Sequence, residues 1–279
     1  MNDINILDLL NYRNGEAALH RAVRGHDLSL IKSLIEQGAD VNIKNKDGDT
    51  PLHIAAIYDD MDVLKYLLNA GAPINARNRF GRIPLGHAIN CSSLDFVKCL
   101  IENGSDINSV NSQGESVIFY PVYNGNVEKV KFLVENGARI NVKNKYGYTP
   151  LHIASHYGFI QIMEYLTDKS TINEKTNVQD TPLHMAICNG QLNAVKFLVE
   201  HGADINIRNY NGLSALLNAV QYVRTDIIAY LLEHGADPAI TDLQGRTAIQ
   251  MIKAQEKSDG RRYEYIWEMI KCFKDHGIY

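Results

Sequence analysis

The chain has few of the residues on which enzymes and metal proteins depend. Its 279 residues include four cysteines, and none of them stands in a CxxC pair or beside histidines spaced to bind zinc. We expect buried, reduced thiols and no metal site. No HExxH sequence, phosphate-binding glycine loop or dinucleotide fingerprint is present. The sequence therefore predicts a protein that is not an enzyme and has no cofactor.

A basic excess and long apolar runs are also lacking. The net charge is −4 with both signs mixed along the chain, whereas a nucleic-acid surface needs a clustered basic face. No segment has about eighteen consecutive apolar residues, and the N-terminus lacks the basic start of a signal peptide. We expect a monomer that binds neither nucleic acid nor membrane. We expect it in the cytoplasm, with the nucleus or a host-cell cytoplasm as alternatives.

What the chain has is a repeat. Glycines at positions 15, 48, 81, 114 and 147 lie 33 residues apart, and after a 32-residue step the register resumes at Gln179, Gly212 and Gly245. A fixed period of this length is typical of a solenoid, in which each unit buries its apolar face against its neighbours. The continuous register predicts a single array over residues 13–245, with an N-terminal capping helix at 1–12 and a C-terminal capping repeat at 246–279.

Two phrases recur within each period. One is Thr-Pro-Leu-His, intact from Thr50, Thr149 and Thr181, and the other is Gly-Ala-Asp-Ile-Asn or a close variant, as at 202–206. Together with the period they resemble the ankyrin repeat family, from about residue 13 to the C-terminus. The resemblance implies an all-α fold of about seven helix-turn-helix repeats joined by β-hairpin fingers, and a protein that binds other proteins.

The phrases also have a direct physical interpretation. Thr50 is a good N-cap and Pro51 fits the first turn of a helix, where its missing N–H costs nothing. Gly71 provides the left-handed residue that ends the second helix of that repeat. In the family resemblance, the histidines at the fourth place of the phrase hydrogen-bond adjacent hairpin loops. His20, His53, His152 and His184 are therefore interpreted as structural.

Three segments depart from the repeat. Pro121 falls inside a first helix and is expected to kink or shorten it. Residues 168–173 replace the Gly-Ala turn with a shorter segment, and Gln179 stands where glycine usually permits a positive φ. After a first helix from Thr247, a polar break is expected at Ser258-Asp259-Gly260, followed by a closing helix at 262–275.

Aromatic and arginine side chains concentrate at the family's variable positions, on the finger tips and the first helices. Such residues are enriched in protein interfaces, so we expect the concave face of the middle repeats to bind a partner protein. The predicted partner-binding residues are Tyr58, Arg79, Phe80, Arg82, Tyr123, Tyr146, Tyr148, His156, Tyr157, Tyr210 and Tyr222. Of these, Arg82, Tyr123, Tyr148 and Tyr157 are the main candidates.

Other interpretations stay open. Asn42, Asn108 and Asn206 each follow a leucine by eight residues, which is similar to sites of asparaginyl hydroxylation on ankyrin proteins, although structural turn residues are the default. Abundant asparagine, lysine, isoleucine and tyrosine resemble chains from AT-rich genomes. An alternative function is therefore a host-directed effector of an intracellular bacterium or virus that recruits a second partner through its C-terminal helix. An enzyme or enzyme subunit is the alternative from another class.

Overall fold

The computed structural model describes residues 17–259 and 264–278. This part of the chain contains sixteen helices, joined by turns and loops. Each repeat contributes a first and a second helix. The first helices are α1 (Ala18–Arg24), α3 (Pro51–Tyr58), α5 (Pro84–Cys91), α7 (Phe119–Tyr123), α9 (Pro150–Tyr157), α11 (Pro182–Cys188), α13 (Ala215–Gln221) and α15 (Ala248–Asp259). The second helices are α2 (Leu28–Glu36), α4 (Met61–Asn69), α6 (Leu94–Glu102), α8 (Val127–Glu135), α10 (Ile160–Leu166), α12 (Leu192–Glu200), α14 (Thr225–Glu233) and α16 (Glu264–Asp275).

The predicted all-α solenoid is confirmed, with seven helix pairs followed by the pair α15–α16. The described residues form two compact units, one of residues 17–124 and 132–139 and the other of 125–131, 140–259 and 264–278. In unit 1 the first helices α1, α3, α5 and α7 pack in chain order. In unit 2 the first helices α9, α11, α13 and α15 do the same, and the second helices α10, α12, α14 and α16 pack beside them. The capping helix predicted for residues 1–12 lies outside the described residues.

The helix starts follow from the repeated phrase. Thr149 precedes Pro150 and accepts the backbone N–H of His152 at 3.4 Å, while the backbone N–H of Thr149 donates to His152 Nδ1 at 3.1 Å. This reciprocal arrangement satisfies two backbone donors that would otherwise lack partners at the helix end. Small buried residues such as Ala55 and Ala56 then allow neighbouring first helices to approach closely.

The segments between repeats form hairpin-like fingers. In the first, Asn45 Oδ1 accepts the backbone N–H groups of Asp47 and Asp49, each at 2.9 Å. Gly48 has φ +78°, and a Cβ there would lie 2.8 Å from the backbone nitrogen of Arg79 in the next finger. In the described residues, strand-like pairing is limited to one bridge, between Val110 and Ser116. The fingers are therefore turns held by side-chain caps, with almost no extended ladder.

The irregular repeats have defined local structures. As predicted, the helix that contains Pro121 is short: α7 has five residues, whereas α3, α5 and α9 each have eight. Gln179 adopts φ +66°, so the finger keeps its left-handed residue without glycine. A polar break was predicted at Ser258-Asp259-Gly260; for Ser258 and Asp259 this is wrong, because α15 continues through Asp259. Gly260 and the predicted first residues of the closing helix, 262 and 263, lie outside the described residues. The closing helix is described over Glu264–Asp275.

Candidate functional site

Four tyrosines lie at the C-terminal ends of first helices. Tyr58, Tyr123 and Tyr157 are the last residues of α3, α7 and α9, and Tyr222 is the C-cap of α13. All four are exposed. We call these tyrosines the first-helix surface, two of them in each unit. Tyr58, Tyr157 and Tyr222 each lie ten residues after the glycine of their repeat, whereas Tyr123 lies nine residues after Gly114. Three of the four therefore occupy the same place in the repeat, and Tyr123 lies one residue earlier.

In unit 1, the predicted residues Arg82 and Tyr123 belong to one polar cluster. Tyr123 donates its hydroxyl to Glu115 Oε1 at 3.0 Å, and Asn111 Nδ2 donates to Glu115 Oε2 at 3.0 Å. Asn111 Nδ2 also lies 3.0 Å from the hydroxyl of Tyr120, and the Arg82 guanidinium lies 5.4 Å from the centre of that ring. The carboxylate of Glu115 therefore holds the exposed Tyr123 ring in one orientation.

The other predicted residues of unit 1 are more isolated. Tyr58 meets the ring of His26 edge-on at 5.6 Å. Arg79 and Phe80 lie at a finger tip with exposed side chains, and their backbones join neighbouring fingers: Arg79 N donates to Asp47 O at 2.9 Å and Ser112 N to Phe80 O at 2.8 Å. These two bonds join the finger that carries the exposed Arg79 and Phe80 side chains to the fingers on either side of it.

A finger of unit 1 carries a buried acid, Asp49. Asp49 Oδ1 accepts from Asn78 Nδ2 at 2.8 Å and lies 3.6 Å from His87 Nε2. Burial alone would raise the pKa of Asp49, but hydrogen bonds from His87 and Asn78 and the charge of His87 outweigh it and lower the pKa to about 2. Asp49 is therefore a fixed negative charge near neutral pH.

In unit 2, the predicted residues around α9 form an aromatic cluster. Tyr157 stacks on Phe159 at 5.4 Å and meets His156 edge-on at 4.7 Å. Asn189 Nδ2 lies 2.8 Å from His156 Nδ1, which ties this cluster to the next first helix. Tyr148 contacts the ring of His152 edge-on at 5.9 Å. Tyr157 is thus the exposed member of a set of otherwise packed rings.

Two tyrosines of unit 2 have altered acidity. Burial raises the pKa of Tyr148, and the negative charge of Asp180 adds to this effect. The neighbouring Cys188 thiol, through its charge when ionised and through a hydrogen bond, raises the pKa of Tyr222. Burial also raises the pKa of Cys188. The hydroxyls of Tyr148 and Tyr222 and the thiol of Cys188 are therefore neutral at physiological pH. Neutral hydroxyl and thiol groups can contact a partner protein but are poor nucleophiles.

The finger tips of unit 2 carry a row of exposed apolar side chains that sequence reasoning found only in part. The predicted Tyr146 and Tyr210 are 57% and 73% exposed, while Val178 and Leu243, which were not predicted, are 52% and 63% exposed. These four residues, one on each of four consecutive fingers, are called the finger row. A search for exposed apolar residues of any type at the tip positions would have found all four.

The histidines of the repeated phrase connect neighbouring repeats. Nε2 of His20 lies 2.9 Å from Asp49 O, that of His53 3.1 Å from Arg82 O, and that of His184 3.0 Å from Leu213 O. Burial lowers the pKa of His53 and of His152 to about 4. The imidazoles of His53 and His152 are neutral structural groups, and Nδ1 of His53, which accepts the backbone N–H of Thr50, places the proton on Nε2.

The three predicted modification sites differ in their contacts. Asn108 Oδ1 accepts from Arg139 N at 2.8 Å and its Nδ2 donates to Gly137 O at 3.2 Å. Asn206 makes the equivalent bonds to Asp237 N at 3.0 Å and Gly235 O at 3.4 Å. Asn42 is exposed, and the residue 31 positions further on is Pro73, which has no N–H to donate. The carboxamides of Asn108 and Asn206 are thus used in joining repeats.

Within residues 17–259 and 264–278, no group of three or more His, Cys, Asp or Glu side chains is arranged to hold a metal ion. None of the helices in those ranges combines the length and the apolar character needed to cross a membrane.

Sequence comparison shows the family. A profile described as ankyrin repeats (3 copies) matches residues 2–78, 19–111, 62–144, 85–177, 118–209 and 168–242, overlapping segments that cover most of the chain. The chain therefore belongs to the ankyrin repeat family, whose repeats are generally protein–protein interaction modules.

Curated relatives share short stretches with this chain. Human transient receptor potential cation channel subfamily A member 1 is 37% identical over 81 residues, which is 28% of this chain and 7% of that protein. Ankyrin repeat domain-containing protein 13C of Xenopus tropicalis is 32% identical over 73 residues, 26% of this chain and 14% of the relative. E3 ubiquitin-protein ligase XBAT32 of Arabidopsis thaliana is 47% identical over 45 residues, 16% and 9%. The chain thus spans a small part of each relative, and the similarity concerns the repeats.

Proposed function

We propose that this chain is a protein-binding scaffold without catalytic activity, and that it contacts a partner through the first-helix surface and the fingers. One observation carries the proposal. Of the twelve large apolar side chains exposed in the described residues, ten lie at first-helix ends or on fingers, and the other two, Leu30 and Trp267, lie on second helices. Concentrated apolar exposure with aromatic residues is typical of a binding surface.

The fixed orientation of these tyrosines supports the same proposal. Tyr123 is held by Glu115, and Tyr157 by stacking on Phe159. A ring that is already held in place loses little conformational entropy when a partner covers it, so more of the contact free energy appears as affinity. Tyrosine also offers a hydroxyl at the edge of an apolar ring, which suits a surface exposed to water until it is covered.

The experiment compares partner capture by the wild-type chain with capture by two single variants, Tyr123→Ala in unit 1 and Tyr157→Ala in unit 2. The matched control is Leu30→Ala, which removes an exposed apolar side chain from the second helix α2. We expect a captured protein to be retained by the control and weakened about tenfold or more by at least one tyrosine variant. Equal retention by all three variants, each with an unchanged thermal melt, would contradict the proposal.

An adaptor role requires a second surface, and α16 offers one. Trp267 is 52% exposed there, beside a hollow of about 370 Å³ that Lys271 and Lys274 help to line. The adaptor proposal expects Trp267→Ala to release one captured protein while Tyr157→Ala releases another. Loss of the same protein from both variants would contradict the adaptor role, because it would show one binding surface instead of two.

A further inference from the structure

The fingers of unit 2 form a continuous edge. Asn177 N donates to Tyr146 O at 3.0 Å, and Tyr210 N donates to Val178 O at 3.0 Å, so backbone hydrogen bonds join the tips of three consecutive fingers. Asn177 Nδ2 adds a bond to Lys145 O at 2.9 Å. Because these three tips are tied together, the exposed side chains of Tyr146, Val178 and Tyr210 form one fixed apolar edge. Such an edge can pack against the side chains of an extended segment.

A basic hollow reaches this edge at Gln179, the residue after Val178. It is an open depression of about 440 Å³, and its lining consists of Lys143, Lys169 and Lys175 with Ser170, Asn173, Glu174 and Gln179. Lys143 forms an ion pair with Glu174 and also donates to the carbonyl of Lys175 at 3.0 Å. Among the described residues, no carboxylate forms an ion pair with Lys169 or Lys175. The hollow therefore has two uncompensated positive charges in a chain whose net charge is negative.

The hollow results from the irregular repeat. The chain leaves α10 at Leu166, and Asp168 Oδ1 accepts the backbone N–H groups of Ser170 at 2.8 Å and Thr171 at 2.9 Å. Thr171 Oγ1 donates to Leu166 O at 2.9 Å, which closes the turn on the helix end. Lys169 stands in this compact turn, where other repeats have Gly-Ala. The shortened repeat thus places a lysine at the base of the fingers.

The combination selects a ligand chemistry. Ammonium groups in a polar hollow attract carboxylates, and an apolar edge adds affinity for aromatic or aliphatic side chains. Two free charges are too few to follow a nucleic-acid backbone, whose binding depends on several phosphate contacts. A polypeptide segment in which acidic and apolar side chains alternate satisfies both features.

We infer that the finger edge of unit 2 binds an acidic polypeptide segment, with carboxylates in the hollow at Lys169 and Lys175 and apolar side chains against Val178 and Tyr210. This inference rests on the proposed protein-binding function and specifies the partner's chemistry and where it binds. The partner-binding residues predicted from sequence do not include Lys169, Lys175 or Val178. The inference therefore adds a basic site and one apolar residue to the predicted binding residues.

The test uses a labelled random copolymer of glutamate and tyrosine, with glutamate in excess, and the whole chain. We expect saturable binding at low ionic strength that weakens as salt is added. The variant with Lys169→Glu and Lys175→Glu is expected to bind at least about tenfold more weakly. The control variant with Lys32→Glu and Lys65→Glu makes the same change in net charge on exposed second-helix positions and is expected to bind within about twofold of wild type.

A second comparison tests the apolar edge. Replacing Val178 and Tyr210 by serine is expected to remove the preference for the glutamate–tyrosine copolymer over polyglutamate, whereas Leu30→Ser, at an exposed apolar position on α2, is expected to keep it. Three results would overturn the inference: no saturable binding, equal weakening by both lysine pairs, or tighter binding of a single-stranded oligodeoxynucleotide that Lys169 and Lys175 also control.

The inference and the proposed function fail in different ways. If Tyr157→Ala releases a captured partner while the copolymer does not bind, the proposed function stands and the acidic specificity is wrong. If the copolymer binds through Lys169 and Lys175 while no capture depends on the first-helix tyrosines, the finger edge is the binding surface and the first-helix surface is not.

Discussion

His152 Nε2 lies 3.1 Å from the carbonyl oxygen of Asp180, so one imidazole connects the start of α9 to the finger of the next repeat. Its Nδ1 accepts the backbone N–H of Thr149 at 3.1 Å. The ring therefore satisfies a donor and an acceptor that are both shielded from water. A group in this position stabilises the interface between two repeats as well as its own helix.

Replacing His152 by phenylalanine should destabilise the chain by about 2–4 kcal/mol, because two buried backbone groups lose their partners at about 1–3 kcal/mol each. The measurement is the urea midpoint of unfolding by circular dichroism. His201→Gln is the matched control, since His201 is exposed at the end of α12 and bonds only to Phe197 O within its own helix. A midpoint for His152→Phe equal to that of the control would contradict the structural role.

Stability should also depend on pH in a defined window. Burial lowers the pKa of His53 and His152 from 6.5 to about 4, and it also lowers that of His184. Below about pH 6.5 these histidines bind protons in the unfolded chain but stay neutral in the folded chain. Their contribution to the free energy of unfolding is therefore full above pH 6.5 and is lost as the pH falls towards 4. Each of His53 and His152 contributes at most on the order of 3 kcal/mol.

The check is the urea midpoint at a series of pH values from 7.5 to about 4.5, in the range where these histidines titrate in the unfolded chain. The variant His152→Phe should show a shallower loss over the same range, because one of the linked groups is gone. Asp49, whose pKa is lowered to about 2, contributes in a different window: its stabilisation is lost only as the pH falls from about 3.8 through 2. A pH-independent midpoint between 7 and 4.5 would contradict the assignment of neutral imidazoles.

The sequence predicted what depends on the repeat and missed what depends on contacts between particular repeats. Thr149 and Pro150 marked a helix start correctly, and Pro121 a shortened helix, because each acts on its own backbone. The bond from Tyr123 to Glu115 was not predicted, since it requires the finger to place Glu115 beside the end of α7. Val178 was not predicted because the sequence criterion selected aromatic and arginine residues. Exposure of an apolar side chain at a finger tip depends instead on the finger geometry.

Gln179 allows a prediction that separates backbone strain from side-chain contact. It adopts φ +66°, a conformation that costs a residue with a Cβ about 1 kcal/mol relative to glycine. Gln179→Gly should therefore raise the free energy of unfolding by roughly 0.5–1 kcal/mol, measured by urea titration. Gln113→Gly is the matched control: Gln113 precedes the finger glycine Gly114 and has no positive φ, so added chain flexibility should lower stability. Destabilisation by both changes would show that Gln179 makes a stabilising contact that outweighs its strain.

Asn42 is expected to be the asparagine most open to enzymatic hydroxylation. Its carboxamide stands opposite Pro73, whereas the carboxamides of Asn108 and Asn206 each accept a backbone N–H 31 residues further along the chain. An enzyme that must draw the side chain into its active site has fewer bonds to break at Asn42. After co-expression with an asparaginyl hydroxylase, mass spectrometry should show the gain of one oxygen on the Asn42 peptide before the other two.

Pro73→Ala tests the physical reason for this selectivity. The substitution restores an N–H at the position from which Asp106 and Arg139 donate to Asn75 and Asn108 at 2.8 Å. If the missing donor is what leaves Asn42 open, the variant should reduce oxygen gain at Asn42 to the level of Asn108 while leaving Asn206 unchanged. Unaltered modification at Asn42 in this variant would mean that the missing backbone N–H does not determine access to its carboxamide. Modification of Asn108 ahead of Asn42 in the wild-type chain would contradict the prediction directly.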